Sequence, residues 1–91
     1  VPVEEGFGVG GCVPQFINLD SVNEPVKFMF RPRDVYKAAR ICVDFDGEEV
    51  LRGKPHMIMA PGEMAEMIVE PELFKAHPNM EKVTVRLEVK K

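Results

Sequence analysis

Apolar and polar residues alternate along three stretches of the chain, 26–31, 39–45 and 82–90. In the last of these, "KVTVRLEVK", one polar residue separates each apolar residue from the next. Such alternation with β-branched residues is typical of a strand with one buried face, and it favours antiparallel sheets. We therefore expect a core formed by one face of these strands and of a strand near residue 58: Val26, Phe28, Phe30, Ile41, Val43, Phe45, Ile58, Val83, Val85 and Leu87.

The dipeptide Asp46-Gly47 lies between two strand-like runs, 39–45 and 48–53. Asp-Gly is a strong signal for a two-residue hairpin loop, because both residues tolerate the positive φ that this turn requires. The sequence therefore predicts that these two runs pair as a hairpin.

A second turn signal, Pro61-Gly62, separates 55–60 from 63–69. Proline fixes φ at the first central position of a type II turn, and glycine takes the positive φ at the second. This predicts a second hairpin, with Gly62 at positive φ.

The spacing of these segments predicts an all-β fold. About seven short strands are expected, including "CVPQFI" at 12–17, where Pro14 indicates an edge strand or a bulge. This pattern is typical of a small antiparallel β-sandwich of immunoglobulin or fibronectin type, although it does not separate a sandwich from a small barrel. Prolines at both ends favour one short helical turn near 71–77. We expect a single domain over 12–91, preceded by a flexible glycine-containing lead-in over 1–11.

Length, charge and cysteine content exclude several classes of protein. A chain of 91 residues forms one domain, and its net charge of −3 and pI near 5.4 argue against nucleic-acid binding. No apolar run approaches the ~20 residues of a membrane helix, and the first residues, "VPVEEG", lack the basic start and apolar stretch of a secretory signal, so we expect none. Two cysteines are too few for a disulfide framework, so we expect a reducing, cytoplasmic location.

The glycines from Gly6 to Gly11 match the pattern of a dinucleotide-binding loop, but their context does not. That loop follows a buried strand and opens a helix, whereas "VPVEE" precedes these glycines and Pro14 follows them. We therefore expect no cofactor-binding residues in this chain, and binding of neither FAD nor NAD(H).

Histidines and cysteines give no recognisable reactive site. His56, His77, Cys12 and Cys42 are widely separated, and no spacing between them matches a zinc site or a Cys–His pair. We expect no catalytic and no metal-binding residues here.

Methionines are concentrated in one part of the sequence. Met57, Met59, Met64 and Met67 all fall within the predicted second hairpin. Methionine-rich surfaces adapt to partners, so these four residues form a candidate interface. Filling of gaps in the core is the other interpretation.

The segments "GFGVGGCVPQ", "VKFMFRPR", "ARICVDFDGEEV", "PGEMAEMIV" and "VTVRLEV" follow one another in order through nearly the whole chain, from Gly6 to Val89. This series resembles a C-terminal accessory domain of FAD-dependent, pyridine nucleotide-disulfide-type oxidoreductases related to those encoded beside anaerobic glycerol-3-phosphate dehydrogenase. The most specific matching motif is Pro61-Gly62-Glu63-Met64. The strand before that motif is strongly basic in the family, whereas here it keeps Arg52, Lys54 and His56, which leaves any anion contact by this strand in question.

The resemblance implies a non-catalytic module that packs on the catalytic domains of a flavin oxidoreductase or mediates subunit contacts, homo-oligomers included. FAD and NAD(P) would then be bound by other domains of the parent protein. The alternative is a free-standing immunoglobulin-like binding or adaptor domain that uses the methionine-rich segment as its contact surface. A small independent enzyme using Cys12 or Cys42 with a histidine is the third and least supported hypothesis.

Overall fold

The fold is seen in a computed structural model that describes residues 1–89. Within this range the chain forms eight strands, one short helix, α1 (Pro71–Lys75), and a 3-10 turn at Leu19–Ser21. The strands are β1 (Val3–Glu5), β2 (Val9–Val13), β3 (Val26–Pro32), β4 (Tyr36–Phe45), β5 (Glu48–Arg52), β6 (His56–Met59), β7 (Ala65–Val69) and β8 (Val83–Val89). Lys90 and Lys91, which belong to the predicted domain, lie outside the described residues.

Two sheets pack around one core. The larger sheet has the order β1-β8-β4-β5, and β6 also pairs with β4. The smaller sheet has the order β2-β3-β7. All pairs are antiparallel except β1 with β8, which is parallel. The predicted all-β class is confirmed, and the arrangement is consistent with a small β-sandwich.

The predicted hairpin across Asp46-Gly47 is confirmed. Strand β4 pairs with β5, and Asp46 and Gly47 both have positive φ, 53° and 84°. These angles are those of a type I′ turn, whose twist matches the flanking strands. The Asp46 carboxylate also accepts hydrogen bonds from the backbone N–H groups of Glu81 and Lys82, at 2.9 and 3.0 Å, which ties this turn to the start of β8.

The predicted second hairpin is wrong. Strand β6 pairs with the N-terminal half of β4, whereas β7 pairs with β3 in the other sheet. The turn itself exists, since the Glu63 N–H donates to the Ala60 carbonyl at 3.0 Å, but Gly62 is not at positive φ. The type II assignment is therefore also wrong. The Pro-Gly turn carries the chain from one sheet to the other and does not fold it back on the same sheet.

Residues 1–11 also differ from expectation, because they are part of the sandwich. Strand β1 pairs with β8 in the larger sheet, and β2 pairs with β3 in the smaller one. The glycines between them allow close crossing over β8: a Cβ on Gly6 would lie 2.6 Å from the Cβ of Arg86. Strand β2 is an edge strand with a bulge between Gly10 and Val13, but it spans Val9–Val13 and not the predicted 12–17, so Pro14 follows the strand and does not lie within it.

The predicted core is largely confirmed. The buried side chains include Phe28, Phe30, Ile41, Val43, Phe45, Val83, Val85 and Leu87, while Val26 is half-buried. Helix α1 supplies Phe74, which stacks on Phe45 with ring centroids 5.4 Å apart. Ile58 is the error, since it is 59% exposed. Strand β6 lies at a sheet edge, and within residues 1–89 its residues His56, Met57 and Ile58 are all exposed.

Candidate interaction surface

Strands β6 and β7 border an open groove at one side of the sandwich. The chain leaves the larger sheet at Met59, turns through 60–63 and enters the smaller sheet at Ala65. A groove of about 280 Å³ lies between the two strands, and we call it the β6–β7 groove. Its lining residues are Pro32, His56, Ile58, Met59, Ala60, Glu63, Met64, Ala65 and Glu66.

Both strands that border the groove have one unpaired edge. Within residues 1–89, β6 pairs only with β4, and β7 pairs only with β3. An exposed edge presents backbone N–H and C=O groups that can pair with another chain. The groove is therefore flanked by backbone groups available for pairing as well as by apolar side chains.

The four predicted interface methionines divide into two pairs. Met57 and Met64 are 89% and 45% exposed, next to the exposed Ile58. Met59 is buried, and Met67 is half-buried against the core. The structure thus uses Met59 and Met67 as core side chains, and it brings Met57 and Met64 to the surface, where an interface role stays a prediction.

Cations without ion-pair partners lie beside β6. Lys37 is opposite Ile58 in the β4–β6 register, and Lys54 precedes β6 by two residues. Among the described residues neither has a carboxylate oxygen within 4.0 Å, and both are exposed. Arg40 is held differently, because its guanidinium donates to the Gly53 carbonyl at 3.2 Å. Positive charge therefore lies beside β6, whereas the charged residues that line the groove itself, Glu63 and Glu66, are acidic.

A second polar cluster, the β4–β5–β8 network, lies on the outer face of the larger sheet. Arg86 Nε donates to Asp44 Oδ2 at 2.7 Å, and Arg86 Nη2 donates to Glu49 at 2.9 Å. Arg52 contacts Glu49 at 3.1 Å and Glu88 at 2.8 Å. This network explains why Asp44 is buried although it lies on the face opposite the hydrophobic core.

The charges of the network perturb one another. The hydrogen bond from Arg52 lowers the pKa of Glu49, and the hydrogen bond to Asp44 raises the pKa of Arg86. Both shifts favour the charged forms. The network is therefore a set of mutually neutralising groups at neutral pH.

Cys42, Glu49 and Glu88 place potential metal-ligand atoms within 4.8 Å of one another. The two carboxylates are already bound by arginines, and burial raises the pKa of the Cys42 thiol, whereas a metal ligand must be a thiolate. This chemistry favours a closed ion-pair network over a metal centre.

The remaining cysteine and the histidines lie apart. Burial, and then the charge of Glu5, raise the pKa of Cys12 to about 11, which disfavours a nucleophilic thiolate. His77 packs edge-on against Phe45 at 5.2 Å, and His56 lines the β6–β7 groove. No described contact joins either histidine to a cysteine.

Sequence reasoning located the methionines but missed two features. The alternation of β8 predicted a polar face that includes Arg86 and Glu88. It did not predict the β4–β5–β8 network, because the residues that pair with these two depend on strand register, which alternation does not specify. The unpaired cations beside β6 were missed because their isolation depends on which carboxylates lie near them in three dimensions.

Comparisons with protein-family models, with curated proteins and with solved structures found no significant match to this chain. Among residues 1–89, no helix is long and apolar enough to cross a membrane.

Proposed function

We propose that this chain is a non-catalytic interaction module that docks on a partner through the β6–β7 groove. The observation that carries the proposal is the exposure of Met57, Ile58 and Met64 beside two unpaired strand edges. Burial of exposed apolar side chains is the main favourable term in most protein association. Flexible methionine side chains also fit an irregular partner surface.

The partner we propose is the catalytic part of a flavin-dependent, NAD(P)-linked oxidoreductase in the cytoplasm. This part of the proposal rests on the resemblance of "PGEMAEMIV" and its companion segments to an accessory domain of those enzymes. The motif Pro61-Gly62-Glu63-Met64 forms the turn at the end of the groove and contributes Met64 to it. FAD and NAD(P) would be bound by the partner, and this module would position domains or subunits.

A free-standing immunoglobulin-like adaptor is the second candidate. It is supported by the two-sheet, all-β architecture, which is consistent with a small β-sandwich. In that case the same surface binds a partner that contains no flavin.

The proposal is tested by co-expressing the chain with the reading frames that neighbour its own and isolating the resulting assembly. We expect the assembly to show the visible absorbance of bound flavin and to oxidise NAD(P)H. A variant carrying both Met57→Glu and Met64→Glu should dissociate from it, because each substitution places a charge in a desolvated contact. The matched control carries Val13→Glu and Phe16→Glu, which are 47% and 64% exposed elsewhere on the domain.

An assembly that contains the chain but no flavin would contradict the oxidoreductase proposal and support the adaptor. Retention of the Met57→Glu, Met64→Glu variant, or equal loss of the control variant, would show that the groove is not the docking surface. Thermal melts of both variants must match the wild type, so that dissociation reports contact and not unfolding.

A further inference from the structure

The six methionines of the chain differ widely in the exposure of their side chains. Met57 is 89% exposed, more than any other large apolar side chain among residues 1–89, and Met64 is 45% exposed. Met59 and Met80 are only 5% and 6% exposed. A solute in water therefore reaches the side chains of Met57 and Met64 far more readily than those of the buried pair.

The two remaining methionines lie between these extremes. Met67 is half-buried against the core, and a Cβ added to Gly53 would lie 2.8 Å from its methyl carbon, so the end of this side chain packs on the backbone of Gly53. Met29 is half-buried on β3 and does not line the β6–β7 groove. The most exposed methionines are thus the two that lie at the proposed docking surface.

The cysteines do not compete with these methionines for an oxidant. Cys12 and Cys42 are both buried, and burial raises the pKa of both thiols. Cysteine reacts with peroxides as the thiolate, so a buried thiol with a raised pKa is slow to oxidise. A methionine sulfur has no proton to lose, and its reaction depends on access. The chain therefore presents two methionines to an oxidant before any cysteine.

We propose that hydroperoxides oxidise Met57 and Met64 to methionine sulfoxide, and that the oxidised chain no longer docks. This inference rests on the proposed function and adds a regulation of the same surface. The thioether sulfur gives an electron pair to one peroxide oxygen, so that an S–O bond forms as the O–O bond breaks. The sulfur is oxidised by two electrons, and hydrogen peroxide is reduced to water.

Oxidation at these positions changes the surface and leaves the core intact. Strand β6 is held by backbone pairing with β4, in which Ile58 lies opposite Lys37, and the exposed Met57 side chain contributes little to the core. A sulfoxide is polar, and burial of a polar group without a hydrogen bond costs free energy. A contact that fits the apolar methionines is therefore weakened, while the fold of the domain is retained.

The modification is reversible. Methionine sulfoxide reductases remove the oxygen with two thiols as reductant, so that the oxygen leaves as water and the thiols form a disulfide. The same surface would then dock in its reduced form and remain free in its oxidised form.

The first experiment treats the free chain with dilute hydrogen peroxide and follows each methionine by tandem mass spectrometry. We expect Met57 to react first and Met64 second, each at least roughly tenfold faster than Met59 and Met80, because buried side chains react only in locally opened states. Cys12 should remain unmodified during this time.

The second experiment recombines the treated chain with the partner purified from the co-expressed assembly and measures the affinity by interferometry. Peroxide should weaken docking by at least roughly tenfold, because the sulfoxides enter an apolar contact. Treatment with reductases for both sulfoxide epimers should restore the affinity. Thermal melts of the oxidised and reduced chains should coincide.

Protein variants assign the effect to the two sulfur atoms. Met57→Leu combined with Met64→Leu keeps both side chains apolar and removes both sites of oxidation. The readout is the ratio of the affinities before and after peroxide, which should no longer change in this variant. Met29→Leu is the matched control, because Met29 is half-buried and lies outside the groove lining, and peroxide should still weaken docking there.

Equal rates of oxidation at all six methionines, or oxidation of a cysteine before Met57, would overturn the assignment of the sites. The regulation would be overturned by unchanged affinity after peroxide, by a lowered melting temperature of the oxidised chain, or by equal peroxide sensitivity of the double leucine variant. If the regulation fails while Met57→Glu with Met64→Glu still releases the chain from its assembly, the proposed function stands. If that variant stays bound, the proposed function fails and the regulation fails with it.

Discussion

Two surfaces of this domain are built on the same strand, β4, and differ in how their charges are used. Along the half of β4 that pairs with β5, the carboxylates of Asp44, Glu49 and Glu88 are bound by two arginines. Along the half that pairs with β6, Lys37 has no described carboxylate partner and lies opposite the exposed Ile58. The charges of the first surface are paired within the chain, whereas Lys37 on the second surface is exposed to solvent.

The two surfaces also differ in how closely each resembles a functional site. The β4–β5–β8 network contains a cysteine, carboxylates and perturbed pKa values, which are common marks of functional sites. Structural ion-pair networks produce the same marks, and here each carboxylate has an arginine. The groove has few such marks, yet within residues 1–89 the strands that border it each have an unpaired edge, and Ile58 and Met64 in its lining are exposed.

The largest expected effect is on stability, within the network. Arg86→Leu leaves the Asp44 carboxylate buried without its counter-charge, which should lower the free energy of unfolding by about 2–4 kcal/mol. Met57→Leu, on the open surface, should change it by less than about 0.5 kcal/mol. Urea denaturation measures both. Equal effects would remove the distinction between the closed and open surfaces.

The next largest effect on stability is expected at Gly6, where the chain passes close to β8. Gly6→Ala places a methyl group 2.6 Å from Arg86 Cβ, so β1 or β8 must shift, at a cost of about 1–3 kcal/mol. Gly62→Ala is the control: no atom lies within 4 Å of its added Cβ, and its φ is not positive. We expect Gly62→Ala to leave stability unchanged or to raise it by about 0.4–1 kcal/mol through the unfolded chain. A loss of stability in Gly62→Ala would instead indicate that Gly62 has the positive φ of a type II turn.

A smaller effect is expected in the pH dependence of stability. Because Arg52 lowers the pKa of Glu49 in the folded state, the unfolded chain binds this proton more readily. The stabilisation is complete above the ordinary glutamate value of 4.5 and is lost as the pH falls through the folded value. Glu49→Gln and Arg52→Leu should both flatten this acid limb in thermal melts recorded from neutral to acidic pH. An unchanged acid limb in both variants would show that the Arg52–Glu49 pair contributes nothing to it.

The sequence predicted strands well and their partners poorly. Alternation identified the buried faces of β3, β4 and β8, and Asp46-Gly47 identified the β4–β5 hairpin, because both signals are local. Pro61-Gly62 predicted a turn correctly but not its destination. A turn dipeptide specifies a change of direction, and it contains no information about which sheet the next strand joins.

The errors in burial have a related cause. Ile58 and Met59 are adjacent and similarly apolar, yet Met59 is the one buried residue of β6, and His56, Met57 and Ile58 are all exposed. The glycines at 6–11 predicted a flexible segment. In the structure they permit close packing against β8, as at Gly6. The candidate surface could therefore be predicted as a methionine-rich region, while its groove, its free edges and its unpaired lysines required the fold.

The most direct test of the account is methionine methyl NMR of the chain, free and in its assembly. Three of the six methionines serve as probes: Met64 lines the groove, Met57 is exposed next to Ile58 of the lining, and Met80 is buried and does not line the groove. We expect the methyl signals of Met57 and Met64 to shift or broaden on assembly, with the signal of Met80 unchanged. Unchanged signals from Met57 and Met64 in an assembly that forms would contradict the claim that this domain docks through the β6–β7 groove.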